Sequence, residues 1–114
     1  MSHLSILPTV LRDAVRLATS LEQLGLEPQQ GGSLAGFGGE KQAVLLQVAL
    51  PGGESLGWQR QPDGVLALVG DLQRLSRSTS MQRWISRITR CYATLTALEE
   101  ASRLWPAAGV ELSR

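Results

Sequence analysis

The sequence is poor in the residues that most often announce a chemistry. It has one cysteine, one histidine, one lysine and, in three tryptophans, one tyrosine and one phenylalanine, few aromatic rings. A lone Cys91 cannot close an internal disulfide, so the chain is not a stapled scaffold, and a reducing compartment is expected. No apolar run approaches the roughly 18 residues of a membrane-spanning helix. The opening Met1-Ser2-His3-Leu4-Ser5 lacks a basic region followed by an apolar stretch, so no secretory signal is expected. Charge of one sign is also missing. Eleven basic residues against ten acidic ones leave +1, a balance that by itself attracts neither nucleic acid nor anionic lipid.

What remains is a globular composition: 43% hydrophobic, 18% charged, with mean hydropathy near zero. The 114 residues fit one domain, large enough to bury a core unaided. Residues 2–7 read as a first strand stopped by Pro8. Thr9 suits a helix N-cap, and Val10, Ala14, Leu17, Leu21 and Leu24 recur at helical spacing until Gly25, which predicts a helix over 10–24. Residues 27–40 are rich in glycine and read as a loop with a poor strand near Leu34–Phe37. The run 42–50 is dense in branched residues. Pro51-Gly52-Gly53 and Pro62-Asp63-Gly64 are turn signals, so strands are expected at 42–50, 55–61 and 64–70 as an antiparallel meander. A second helix is expected over 80–103, capped by Ser78 or Ser80, with Trp84, Ile88, Cys91, Leu95 and Leu98 as its apolar stripe. Gly109–Leu112 reads as a last short strand.

This order predicts an α+β fold. Its two layers are an antiparallel sheet, made of the N-terminal strand plus the three-strand meander, and two helices packed on one face. Leu17, Leu21, Val48, Trp84, Ile88 and Leu95 are the expected core.

Candidate chemistry is sparse. His3 could join the amino terminus in a copper or nickel chelate, but a structural role at an edge strand is the reading adopted. Cys91 sits in an apolar stripe without a nearby base, as a packing residue does. The glycines between 31 and 39 match neither phosphate-loop pattern and precede a strand rather than a helix. Glu99 and Glu100 are adjacent, so they point to different sides of a helix and cannot serve one substrate as acid and base. No triad, dyad or metal set is visible. Neither enzymatic activity nor a cofactor is expected.

One local pattern stands out. Ten of the eleven basic residues are arginine, and between Gln73 and Leu98 lie Arg74, Arg77, Arg83, Arg87 and Arg90 with no acid. Arg83, Arg87 and Arg90, at i, i+4 and i+7, form a row on one helix face, which Arg74 and Arg77 could extend. Guanidinium groups grip carboxylates and phosphates in a forked geometry. A solvated face is the bland reading, an anionic protein partner the sharper one. Nucleic acid is disfavoured by the near-zero charge and the few aromatic rings.

Met-Ser-His-Leu-Ser-Ile at the start, Leu-Glu-Gln-Leu-Gly-Leu-Glu at 21–27, Leu-Gly-Trp at 56–58, Val-Gly-Asp-Leu-Gln at 69–73 and Ile-Thr-Arg-Cys-Tyr-Ala at 88–93 occur in this order. Together they resemble the hypothetical chloroplast open reading frame 35 family of cyanobacteria and algal plastids, over about residues 1–105. Cys91 departs from the polar residue usual in that family, and the tail after Trp105 is shorter. The resemblance implies an address, cyanobacterial cytoplasm or plastid stroma, and no established activity. Relatives are often encoded near ferredoxin-like proteins, which makes an acidic electron carrier an expected partner. The reading is a non-enzymatic accessory protein, with a nucleic-acid-binding module as the alternative.

Overall fold

In the computed structural model, which describes residues 4–36 and 39–104, the strands are β1 (Leu4–Pro8), β2 (Gln29–Gln30), β3 (Ser33–Ala35), β4 (Lys41–Ala43), β5 (Leu46–Ala49), β6 (Ser55–Arg60) and β7 (Leu66–Asp71). The helices are α1 (Ala14–Gln23), α2 (Leu72–Arg77) and α3 (Thr79–Leu104). Five strands form an antiparallel sheet in the order β1-β7-β6-β5-β2, while β3 and β4 pair as a separate ribbon. The expected meander is β5–β6–β7. The N-terminal strand joins it beside β7, with Leu4 opposite Asp71 and Pro8 opposite Ala67. The expected α+β architecture is therefore the one observed.

Local chemistry explains most boundaries. α1 ends in a Schellman arrangement: Gly25 takes φ +82° and donates to the Glu22 carbonyl, and Leu26 N–H donates to that of Leu21. The 62–64 turn closes with Gly64 at φ +88° and the Asp63 carboxylate accepting from Val65 N–H. Ser78 caps α3 as expected, its hydroxyl accepting from Met81 N–H at 3.1 Å.

Alternation along the strands makes two cores. On one face Leu46, Val48, Leu56, Trp58, Leu66 and Leu68 meet Leu17 and Leu21 of α1 and Met81, Ile88 and Tyr92 of α3. On the other, Leu34 of β3 and Val44, the residue after β4, cover Val69, with Leu4 beside them. That second cover was not foreseen.

Four expectations need correction. The single strand over 42–50 is two. A continuous strand would place Val44, Leu46 and Val48 on one face, yet Val44 lies in the ribbon core and Leu46 and Val48 in the helix core. The chain changes phase at Val44–Leu45, where Val44 N–H donates to Gly32 and Leu45 N–H to Trp58. The first helix starts at Ala14 rather than residue 10, because Asp13 is the cap and accepts from Val15 and Arg16 N–H. Thr9 instead accepts from Leu11 N–H and donates to the Leu66 carbonyl, leaving Val10 83% exposed. A short helix, α2, fills the segment before α3. Finally, Leu98 of the expected apolar stripe is 57% exposed, while Trp84, packed against the helix core, and Leu95 are partly buried. Leu95, two turns beyond Ile88, lies on the same side of the helix, but the buried residues of α3 end at Tyr92. The strand expected at Gly109–Leu112, together with residues 2–3 and Phe37, lies outside the described residues.

Candidate functional site

The α3 helix carries the arginine row. Its buried edge is Met81, Ile88 and Tyr92. A helix turns 3.6 residues at a time, so Arg83, Arg87 and Arg90 fall on the outward side, and all three are exposed. None of them is ion-paired within the described residues, whose salt bridges are Arg16–Asp13, Arg16–Glu99 and Arg103–Glu99. Arg87 lies over the half-buried Trp84 ring, 4.4 Å from its centre, which limits the rotamers of that guanidinium.

Arg74 and Arg77 are exposed on α2. Arg74 N–H donates to the Asp71 carboxylate, and Arg74 lines a small depression of about 180 Å³ with Asp71 and Glu54. That depression has mixed charge and is not the one beside the row. Glu54 Oε1 is buried there without a hydrogen-bond partner among the described residues.

Beside the row lies a feature that sequence reasoning missed. A cavity of about 420 Å³ opens between the β1–α1 connector and α3. Leu7 and Leu11 form one wall, Trp58 and Leu68 the floor, and Leu75, Ile85 and Ile88 the other wall, with Val10 at the lip. Its size falls within the range of ligand and peptide pockets. Gln82, Ile85 and Thr89 belong both to this cavity and to the open face that carries Arg83, Arg87 and Arg90. The two are one continuous surface, apolar on one side and basic on the other.

The connector is held by α3. The Tyr92 hydroxyl accepts from the backbone N–H groups of Arg12 and Asp13, at 3.2 and 2.9 Å. Arg16 packs over the same ring, 5.5 Å from its centre, and binds Glu99 across the helix pair. Donating to the Glu99 carboxylate holds the Arg16 guanidinium above its ordinary pKa, with burial opposing. Glu99 is thus a structural partner of α1.

Cys91 is a free thiol, half-buried between the helices, with its sulfur 3.8 Å from the Ser20 carbonyl and 3.7 Å from Gln23 Oε1. The glycine-rich segment ends in strands, not a helix. His3 lies outside the described residues. Among the described residues no three His, Cys, Asp or Glu side chains come together as a metal site, and no helix is long and apolar enough to cross a membrane.

The candidate site is therefore a continuous apolar and basic surface, built largely on one long helix of an α+β domain. Comparison with known families matches residues 20–112 to the family described as a protein of unknown function (DUF1257), and the chain belongs to that family. No curated protein and no solved structure matches it.

Proposed function

We propose that this chain is a non-enzymatic accessory module that binds an acidic protein surface through Arg83, Arg87 and Arg90. One observation carries the reading: three exposed guanidinium groups stand on the outward side of α3 without an ion pair among the described residues. Their charge is available to a partner at little cost to the fold. Within the family we assign the chain to the chloroplast open reading frame 35 type, in cyanobacterial cytoplasm or plastid stroma. An acidic electron carrier of the ferredoxin kind is the partner this reading favours.

The physics sets the test. Exposed charge pairs speed association and weaken as the screening length falls from about 10 Å at 0.1 M salt to about 3 Å at 1 M. The triple variant R83E/R87E/R90E is expected to keep its circular dichroism spectrum and lose at least tenfold in association rate toward a plant-type ferredoxin. It is also expected to lose the salt dependence. An unfolded variant would make the row structural. A folded variant with unchanged binding would sink the reading. Salt-dependent retention on single-stranded DNA with no affinity for ferredoxin would favour the nucleic-acid module instead.

A further inference from the structure

We infer that the partner presents an amphipathic helix with an acidic flank, its apolar side chains seated in the cavity between the β1–α1 connector and α3. This rests on the arginine reading above and adds the shape of what the arginines receive.

Charge comes first. The cavity is lined by no charged residue, and the adjoining face contributes Arg83, Arg87 and Arg90 and no carboxylate. The α3 side therefore offers an occupant of the cavity cations and no carboxylate. A segment with apolar residues at i, i+4 and i+7 and carboxylates on the α3 side satisfies both halves at once. A neutral apolar molecule would fill the cavity and leave the arginines unused.

Backbone chemistry then selects a helix over a strand. A partner that adds as a strand needs free N–H and C=O groups along the lip. Here the N–H groups of Leu11, Arg12 and Asp13 are already taken by the Thr9 and Tyr92 hydroxyls. The Leu11 carbonyl accepts from Leu66 N–H, and the α3 backbone is bonded within its helix. The connector and α3 walls thus offer side chains and little backbone. The edge strand β1 reaches the cavity only through Leu7 and Pro8, of which Pro8 has no N–H to offer. An occupant whose own backbone bonds are closed, a helix, loses nothing on entering.

The lip residue Val10 gives a clean probe. It lines the cavity yet is 83% exposed, so the fold does not need its side chain. The probe ligand is a designed, fluorescein-labelled 18-residue helical peptide with leucine at i, i+4, i+7 and i+11 and glutamates along one flank. A second peptide carries lysine for glutamate. Binding is read by anisotropy on the full chain at 0.1 M salt. The glutamate peptide is expected to bind at least tenfold tighter than the lysine peptide. Val10→Asp is expected to weaken it at least fivefold, and R83E/R87E/R90E to reverse the preference between peptides.

Each other result decides against the inference in its own way. Loss on arginine reversal with no effect of Val10→Asp keeps the acidic-partner reading and removes the cavity. Loss on Val10→Asp with indifference to the arginines keeps an apolar site and removes that reading. Binding of laurate but of neither peptide assigns the cavity to a small apolar ligand. A dimer in sedimentation equilibrium that Val10→Asp dissociates assigns it to a second copy of the chain. Binding of nothing overturns the inference outright.

Discussion

Single residues divide sharply by what they touch. Ile88, on the inner side of α3, is 2% exposed and packs in the core shared with α1 and the sheet. Ile88→Ala is therefore expected to cost roughly 2–5 kcal/mol in a urea titration by enlarging the space there. Leu95 lies two turns further along the same stripe but is half-buried, and its truncation is expected to cost only about 1 kcal/mol. Equal losses at the two sites would mean that α3 sits deeper than described. Tyr92 carries a different burden. Its hydroxyl is the acceptor for two backbone N–H groups that precede α1, so Tyr92→Phe strands both donors while removing a single oxygen. A loss of about 1–3 kcal/mol is expected, and a loss below about 0.5 kcal/mol would show that water reaches those amides.

Among the elements, the close approach of the β3–β4 ribbon to β6 is the most exacting contact. A Cβ on Gly57 would stand 2.7 Å from Val44 Cγ1, inside van der Waals contact. Gly57→Ala is therefore expected to destabilise by about 1–3 kcal/mol through overpacking. Adding Val44→Ala removes the clashing methyl groups, so the double variant should recover part of that loss. Simple additivity of the two would mean that the ribbon lifts away instead. The same region shows why some elements were legible in the sequence and others were not. Turns at 51–53 and 62–64, the Gly25 stop and the Ser78 cap follow local rules, and each stands where the residues placed it. The phase change at Val44 does not, because Val44, Leu45 and Leu46 are interchangeable to any pattern that counts only apolar residues. What separates them is the ribbon waiting on the far face, a tertiary fact. Helix α1 started late for a similar reason, since Asp13 outcompetes Thr9 once Tyr92 pins the backbone before it. The arginine row was readable because one helix generates it. The cavity beside it is assembled from β1, the connector, β6, β7, α2 and α3, and no stretch of sequence contains it.

On the scale of the whole molecule the long helix sets the shape. The chain extends 54 Å along its longest axis against 30 and 21 Å across, and α3, with 26 residues, spans about 39 Å of helix. Its first turns rest on the sheet and α1 through Met81, Ile88 and Tyr92. From Ala97 to Leu104 every residue except Ala101 is exposed, including Leu98 at 57% and Leu104 at 68%. There the Glu99–Arg16 pair ties the helix to α1 among the described residues. A helical segment this short has little stability of its own in water, so these turns should open without unfolding the sheet. Native-state hydrogen exchange tests this. Amides of Ile88 and Tyr92 are expected to exchange only through global unfolding, and those from Glu100 to Leu104 through local opening several kcal/mol lower. Glu99→Ala should lower protection in that last stretch and leave the amides of Ile88 and Tyr92 much less changed. Equal protection along all of α3 would mean that the exposed leucines are covered in solution, and the first place to look for the cover would be a second copy of the chain. The arginines lie on the well-anchored half, where the helix holds three charges in register, and that placement is what lets a molecule of net charge +1 present a directed basic face.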